Sequence, residues 1–247
     1  MPRFAVILPA AGKSSRFRDK EKKVFATLDG RPVWRRTAEL FVNRKDVCQT
    51  VVVVAPEDME TFQRRHAADL AVFGIKVAEG GAERFDSVAN ALKVLVPEAD
   101  FVAVHDAARP CVTEEQINAV FAGAEKTGAA LLAVPVSDTV KRGDKDGKVK
   151  ETVPREGLWL AQTPQVFRRD WLEAAYAERA RLGRGVTDDA QLVEAAGHPV
   201  YLVAGAASNL KITTREDLAL ADAVLKARPK PKANRPIHPF ADDEFKW

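Results

Sequence analysis

The sequence predicts an α/β protein with a doubly wound, mainly parallel sheet, and three features of the chain support this. Short apolar runs rich in β-branched residues recur, segments with helical periodicity separate them, and the two kinds alternate. Continuous apolar runs indicate strands that are covered on both faces, as in a parallel sheet. The predicted strands are residues 3–9 (RFAVILP), 50–56 (TVVVVAP), 101–106 (FVAVHD) and 130–136 (ALLAVPV).

The helices are predicted from spacing and from capping signals. Residues 84–96 place apolar side chains three and four positions apart, which defines one helix face. Thr113 is expected to cap another helix, with Gln116 in the capping-box position. The predicted helices are residues 32–43 and 84–96, a segment that begins after Thr113, and residues 215–226.

Two segments depart from this alternation. Residues 138–153 (DTVKRGDKDGKVKETV) alternate polar and β-branched residues around a Lys-Asp-Gly turn, which predicts a protruding β-hairpin arm over 138–155. A two-stranded ribbon is marginally stable alone, so we expect the arm to lean on another surface, such as a second subunit. The last twenty residues contain four prolines and no helical period. We therefore expect one domain over 1–226 and a Pro-rich flexible tail over 227–247.

Composition argues against several classes of protein. With 247 residues, 46% of them hydrophobic, the chain can bury a sizeable core, and no apolar run is long enough to span a membrane. The start, MPRFAVILPAAG, is interpreted as a strand and not as a signal peptide. Cys48 and Cys111 form neither a disulfide framework nor a metal pair, so a cytoplasmic location is expected. Aromatic residues do not interleave with the basic ones, so nucleic acid is not an expected partner.

Positive charge is concentrated just after the first predicted strand. Six Lys or Arg residues lie within positions 13–23, a local excess of four positive charges in a chain whose net charge is +3. Ligands of open α/β sheets bind beyond the carboxyl ends of the strands, where the small residues Ala10, Ala11 and Gly12 lie. Small residues let backbone N–H groups approach a phosphate closely. The segment predicts a polyphosphate site without the P-loop or dinucleotide pattern, and a solvated lysine-rich loop is the alternative.

Seven segments occur together and in order along the chain. They are PAAGKSSRF (9–17) followed by Lys23, GGAERFDSV (80–88), HDAARP (105–110), DTVKR (138–142), REGLWLAQTPQVF (155–167), VTDD (186–189) and LKITTREDL (210–218). Together they resemble the 2-C-methyl-D-erythritol 4-phosphate cytidylyltransferase family, over residues 4 to about 226. The resemblance implies a Rossmann-like nucleotidyltransferase fold and an enzyme that joins CTP to methylerythritol phosphate and releases diphosphate.

The resemblance implies that cations carry the reaction, because the attacking phosphate oxygen is already anionic at neutral pH and needs no general base. Arg16 and Lys23 match the residues that hold the triphosphate and the transition state. Lys211, in a strand-like Leu-Lys-Ile segment, matches the lysine at the α-phosphate. Lys22 is the alternative to Lys23, since the chain has Lys-Lys-Val where the family has Pro-Lys-Gln. Lys13 is expected to be auxiliary.

The resemblance assigns the rest of CTP to three segments. The Ala-Ala-Gly bend (10–12) approaches the phosphates, and a loop with Gly81, Ala82 and Ser87 reads the cytosine ring. Ala82 stands where the family commonly has Asp. Asp106 lies near the ribose and α-phosphate and is the candidate Mg²⁺ ligand, since Mg²⁺ takes one or two carboxylates together with phosphate oxygens.

The acceptor site is also implied by the resemblance. Arg109 is expected near the methylerythritol group, and Thr163 and Thr187 are expected to add hydroxyl contacts. Thr139 and Arg155 bracket the hairpin arm. In the family this arm reaches across a homodimer, where its arginine holds the substrate phosphate of the neighbouring active site, a contact that suits a planar guanidinium.

Three alternatives stay open. The acceptor could be ribitol 5-phosphate, and Ala82 leaves room for a sugar-phosphate enzyme that uses another nucleotide. A catalytically silent nucleotide-binding module is a hypothesis of another class. The Lys-Val pair at 23–24 and the basic, proline-rich tail motivate it.

Overall fold

The structure is a computed structural model, and it describes residues 1–12, 14, 17, 22–179 and 186–228. The predicted tail beyond Arg228 lies outside these residues. The strands are β1 Phe4–Pro9, β2 Thr27–Leu28, β3 Arg31–Pro32, β4 Val47–Val54, β5 Lys76–Glu79, β6 Phe101–Val104, β7 Ala129–Pro135, β8 Val140–Gly143, β9 Val149–Val153, β10 Trp159–Arg168 and β11 Tyr201–Ala204. The helices are α1 Val33–Ala38, α2 Met59–Arg65, α3 Ala67–Val72, α4 Arg84–Leu92, α5 Glu114–Thr127, α6 Arg169–Ala177, α7 Asp189–Ala195 and α8 Arg215–Ala227.

Seven strands of the described chain form one central sheet, in the order β11-β7-β10-β6-β1-β4-β5. β10 runs antiparallel to both of its neighbours, and the other paired strands are parallel, which confirms the predicted mainly parallel sheet. The chain leaves β1 for β4 and β5 on one side and then returns to β6 on the other. Ligands of open α/β sheets bind at such a switch point, beyond the carboxyl ends of the strands.

Both faces of the sheet are covered, which explains the continuous apolar runs of the strands. Side chains along β1 alternate between two core clusters: Val6 and Leu8 belong to one, Ala5 and Ile7 to the other. Helices α1, α5 and α8 contribute to the first cluster, and helices α4, α6 and α7 contribute to the second. The doubly wound arrangement predicted from the sequence is confirmed.

Most predicted elements are present, with shifted ends. The Thr113 hydroxyl accepts a hydrogen bond from the Gln116 N–H at 3.2 Å, which confirms the predicted cap of α5. The predicted first and second helices are shorter than expected, because α1 ends at Ala38 and α4 at Leu92. The segment around Lys211 was expected to be strand-like, but it is irregular. Short or mixed-polarity elements escaped the sequence analysis, namely β2, β3, β5, β10, β11, α2, α3, α6 and α7.

The predicted hairpin arm is confirmed as a separate two-stranded sheet, in which β8 and β9 pair antiparallel. Its turn is organised by Asp144, whose Oδ1 accepts from the N–H groups of Asp146 and Lys148 at 3.0 and 2.9 Å. Most of the arm is exposed. None of the helices in the described part of the chain has the length and apolarity needed to cross a membrane.

Candidate active site

An open cleft of about 680 Å³ lies at the carboxyl edge of the sheet, next to the ends of β1, β4, β5 and β6. A groove of about 740 Å³ near Arg168 and Trp171 contains none of the predicted site residues. The predicted residues that line the cleft are Ala10, Ala11, Gly12, Lys23, Gly81, Ala82, Ser87, Asp106 and Lys211. Lys13 and Arg16 lie outside the described residues.

The bend after β1 packs tightly against the loop after β5. The Ala10 N–H donates to the Val53 carbonyl at 2.8 Å, and the Gly80 N–H donates to the Val54 carbonyl at 2.8 Å. A Cβ at Gly80 would lie 2.6 Å from the Cβ of Ala11. Glycine is therefore required for the two loops to meet, and their backbones form one wall of the cleft.

The loop proposed for the base is held by Ser87. Its Oγ accepts from the Gly81 N–H at 3.1 Å and donates to the Glu83 carbonyl at 3.1 Å. Glu83 also takes part in a capping box, in which its N–H donates to Asp86 Oδ2 at 3.0 Å. Because Ser87 is 2% exposed and both hydroxyl functions are used, it fixes the shape of the loop.

The structure separates the two candidate lysines. Lys23 lines the cleft, and its N–H donates to the Oγ of Ser14 at 3.2 Å, a contact that joins the two ends of the basic segment. Lys22 does not line the cleft, because its Nζ pairs with Glu57 at 2.9 Å and with Asp58 at 2.6 Å. The geometry therefore favours Lys23 as the lysine that meets a ligand in this cleft.

Asp106 lies just beyond the end of β6 and is surrounded by cations. Its Oδ2 lies 2.9 Å from Lys211 Nζ and 3.3 Å from Arg109 Nε, and its Oδ1 lies 3.9 Å from Arg84 Nε. Burial by itself would raise the pKa of Asp106. The charges of Lys211, Arg84 and Arg109 outweigh burial and hold this pKa well below its usual range, so the group is a carboxylate at any physiological pH.

Arg84 is a residue of the cleft that the sequence analysis missed. Its Nη2 donates at 2.6 Å to Asp189 Oδ2, and Asp189 Oδ1 accepts from the Tyr176 hydroxyl at 2.5 Å. Asp189 is fully buried. Burial lowers the pKa of Arg84, but Asp189 and Asp106 raise it above its usual range overall. Arg84 thus links α4 to α7 at the wall of the cleft, and its place in the GGAERFDSV segment is the sequence signal that could have found it.

The carboxylates of the cleft bear on whether the site can hold a magnesium ion. No group of three His, Cys, Asp or Glu side chains in the described ranges could hold a metal. Asp106 is a single carboxylate in a cleft with several cations. Its Oδ1 lies 3.9 Å from Arg84 Nε, farther than the 2.9 Å between its Oδ2 and Lys211 Nζ. A magnesium ion at this single carboxylate would depend on its own waters and on ligand phosphates for the rest of its ligands.

The residues predicted for the acceptor do not line the cleft. Arg109 lies beneath it, with its side chain 12% exposed and its Nη1 donating to the Asn209 carbonyl at 2.6 Å. Thr163 is 5% exposed, and its Oγ1 accepts from the Asp106 N–H at 3.1 Å. These two residues support Asp106 from below.

The other three acceptor candidates lie near or beyond the rim. Thr187 precedes α7, and its N–H donates to the Gln191 Oε1 at 2.9 Å. Thr139 and Arg155 are exposed at the base of the arm, where Arg155 Nη1 donates to the Ser137 carbonyl. Within one subunit the structure does not bring Thr139 or Arg155 into the lining of the cleft.

The doubly wound sheet has a small-residue bend, two lysines and a carboxylate in the cleft at its switch point. These features define the chain as a nucleotidyltransferase. The sequence model for the 2-C-methyl-D-erythritol 4-phosphate cytidylyltransferase family, IspD, matches residues 4–227. The chain belongs to this family.

Relatives and solved structures agree with that membership. The protein of Rhodopirellula baltica with this family's name is 47% identical, over 90% of this chain and 94% of its own length. The one from Pelotomaculum thermopropionicum is 43% identical, over 92% and 96%. The crystal structure of the Thermus thermophilus cytidylyltransferase superposes with a TM-score of 0.74 at 34% identity, over 92% of this chain and 100% of that one. The 4-diphosphocytidyl-2C-methyl-D-erythritol synthase of Anaerococcus prevotii gives 0.77 at 30% identity, over 91% and 99%.

Proposed function

We propose that this protein transfers CMP from CTP to 2-C-methyl-D-erythritol 4-phosphate, producing CDP-methylerythritol and diphosphate. The observation that carries the proposal is the cationic cleft at the switch point of the sheet, in a chain that belongs to the cytidylyltransferase family. The proposal includes a cytoplasmic location, which rests on the use of cysteine, and it includes no nucleic-acid or membrane partner.

The reaction is an in-line phosphoryl substitution. A phosphate oxygen of the acceptor attacks the α-phosphorus of CTP, the new O–P bond forms, and the bond from the α-phosphorus to the bridging oxygen of the β-phosphate breaks. The electron pair leaves with diphosphate. The acceptor phosphate has a second pKa of about 6, so its attacking oxygen carries no proton that a base must remove at neutral pH. In agreement with this, no histidine is among the described residues that line the cleft.

The side chains of the cleft offset the repulsion between two anions. Lys23 and Lys211 are the cations assigned to the triphosphate and to the α-phosphate, together with Arg16 and the auxiliary Lys13 from the segment outside the described residues. The bend at 10–12 supplies backbone N–H groups. Preorganised cations of this kind stabilise the charge that develops on the equatorial oxygens in the transition state.

The base is assigned to the backbone of Gly81 and Ala82. Ser87 holds that loop through its bond to the Gly81 N–H. A side chain with one methyl group at position 82 offers the base no hydrogen bond, so selection for cytosine rests on backbone groups.

Mg²⁺ is the proposed cofactor, and Asp106 is the residue that would hold it. The ion supplies charge neutralisation for the phosphates of CTP. Removal of divalent cations with EDTA is expected to abolish diphosphate release, and added Mg²⁺ is expected to restore it. Full activity in EDTA would remove the ion from the proposal.

The acceptor is assigned to Thr187 of one subunit and to Thr139 and Arg155 of a second copy, while Arg109 and Thr163 support Asp106 from below. The homodimer is supported by exposed apolar side chains that adjoin the arm: Leu158, Trp159 and Leu160 are 39%, 42% and 59% exposed. Such a strip beside a ribbon with little core of its own is typical of an interface.

A turnover assay with purified protein tests the activity. Diphosphate release is measured with CTP and 2-C-methyl-D-erythritol 4-phosphate, and then with ribitol 5-phosphate as acceptor and with UTP or ATP as nucleotide. The proposal expects the highest kcat/KM for the first pair. Faster turnover of ribitol 5-phosphate or of another nucleotide would transfer the assignment to that substrate, and no release with any pair would leave a nucleotide-binding module.

Mixed dimers test the arm. With the acceptor well below its KM, subunits with Lys23→Ala and subunits with Arg155→Ala are each expected to have low activity, since each loses part of every site. Coexpressed, they form heterodimers with one intact site, so activity should recover to about one quarter of wild type by random pairing. No recovery from a mixture shown to contain heterodimers would contradict an arm that acts across subunits.

A further inference from the structure

A closed ring of hydrogen bonds lies beneath Asp106. His105 Nε2 lies 3.1 Å from the Arg109 carbonyl, and Arg109 Nη1 donates to the Asn209 carbonyl at 2.6 Å. Asn209 Nδ2 donates to the Thr163 carbonyl at 2.9 Å, and the Thr163 hydroxyl lies 3.0 Å from His105 Nδ1. The ring joins the turn after β6, the middle of β10 and the loop before α8.

The positions of the protons in this ring follow from its acceptors. The Arg109 carbonyl can only accept, so His105 Nε2 must carry a proton. The two partners of the fully buried imidazole are the Arg109 carbonyl and the Thr163 hydroxyl, and a neutral imidazole with Nδ1 as acceptor satisfies both. The Thr163 hydroxyl therefore donates to Nδ1 while it accepts from the Asp106 N–H at 3.1 Å.

The ring is closed to solvent and to ligands. His105 and Asn209 are fully buried, and Thr163 is 5% exposed. Both nitrogens of His105 are hydrogen-bonded, and the Thr163 hydroxyl both donates and accepts a hydrogen bond. Neither side chain therefore has a free group with which to act as a base. The bonds of the ring satisfy the His105 nitrogens, the Thr163 hydroxyl and the Asn209 Nδ2, and this holds the three side chains in one arrangement. Asn209 Oδ1 has no partner among the described residues.

The ring carries two groups of the cleft. Asp106 is tied to it through its own N–H and through the Arg109 N–H, which donates to the Asp106 carbonyl at 2.9 Å. Lys211 follows Asn209 by two residues, and its Nζ meets Asp106 Oδ2 at 2.9 Å. The ring therefore fixes the position of the Asp106 carboxylate relative to the Lys211 ammonium, although the two residues lie far apart in the chain.

We propose that His105, Thr163 and Asn209 are positioning residues for the transfer step, which fix Asp106 and Lys211 relative to each other without touching substrate. The inference rests on the proposed function for its kinetic consequence. The ring gives Thr163 a different role from the direct substrate contact predicted from the sequence.

The proton arrangement is tested first, without substrate. In the full-length protein labelled with ¹⁵N-histidine, His105 is assigned by comparison with His105→Phe, which keeps the aromatic contact to Phe41. The expected spectrum at neutral pH shows the neutral Nε2–H tautomer with a hydrogen-bonded Nδ1, and Thr163→Val should remove only the hydrogen-bond shift at Nδ1. If His105→Phe does not fold, His105 is assigned by elimination with His66→Gln, His198→Gln and His238→Gln. An Nδ1–H tautomer would overturn the proposal.

Kinetics test the consequence for catalysis. In variants whose circular dichroism matches wild type, Thr163→Val, His105→Phe and Asn209→Leu should each lower kcat roughly 10- to 100-fold, the cost of a small displacement of reacting groups, with a smaller change in the KM for CTP. Thr163→Ser keeps the hydroxyl and should restore most of kcat. Thr50→Val is the matched control, because Thr50 is buried and its hydroxyl has no partner in the described part of the protein.

A double variant shows whether the residues act as one unit. If the ring is a unit, His105→Phe with Thr163→Val should lower kcat little more than the worse single variant. Unchanged kcat in the single variants, or effects that multiply in the double, would overturn the proposal. A wild-type protein that releases no diphosphate would reject the proposed function, while the tautomer measurement still decides the ring.

Discussion

The floor of the cleft and the hairpin arm are built on opposite principles. Charges beneath the cleft are buried and shared among several partners: Asp106 meets three cations, and Arg84 meets two carboxylates. In the arm, Arg142 pairs with Glu151 across two strands, with the side chains 63% and 54% exposed. The buried charges of the cleft therefore join distant parts of the chain, whereas the ion pair of the arm joins only its own two strands.

The largest expected difference between the two regions concerns stability. Arg84→Met removes the cation that neutralises the buried Asp189, and breaking a buried pair in this way should cost about 3–5 kcal/mol. Arg142→Met is the matched control in the arm, where loss of an exposed pair should change stability by less than about 1 kcal/mol. Urea denaturation at one protein concentration measures both, and similar losses would contradict the comparison.

The next effect concerns turnover in the cleft. Lys23→Ala should lower kcat/KM roughly 10²- to 10³-fold, because one preorganised cation at the transition state is lost. Lys22→Ala is the adjacent control, with an expected change of less than about fivefold, since its ammonium pairs with Glu57 and Asp58. Initial rates of diphosphate release with CTP in excess measure both. The reverse order of effects would place the triphosphate against Lys22.

A smaller and more selective effect is expected in the arm. Arg155→Ala removes a charged hydrogen bond to the acceptor phosphate, and a loss of about 1.5–3 kcal/mol corresponds to a KM for the acceptor raised roughly 10- to 100-fold. The KM for CTP should stay within about twofold of wild type. Arg142→Ala, from the same arm, serves as the control. If Arg155→Ala changed only the KM for CTP, the assignment of this arginine to the acceptor would be contradicted.

The two regions also differed in how well the sequence predicted them. The arm was predicted as an element, because period-two alternation and an Asp-Gly turn are local signals, and its β8–β9 pairing confirms it. The bend at 10–12 was predicted from its place after the first strand, and Gly81, Lys23 and Asp106 were predicted from the family resemblance. All of them line one cleft. Arg84 was missed, because its partner Asp189 lies 105 positions away and neither residue is unusual locally.

The sequence by itself determined the alternation of strands and helices, the capped start of α5, the small-residue bend and the cluster of positive charge. Each of these features depends on residues that are close in the chain. Their periodicity and backbone preferences can therefore be read directly from the sequence. Only the tertiary structure decided that Lys23 and not Lys22 lines the cleft, that Lys211 meets Asp106, and that Asn209, 100 positions from Arg109, closes a ring with His105 and Thr163. These contacts depend on strand order and long-range closure, because a buried charge or hydroxyl takes the partners that the folded chain brings within reach.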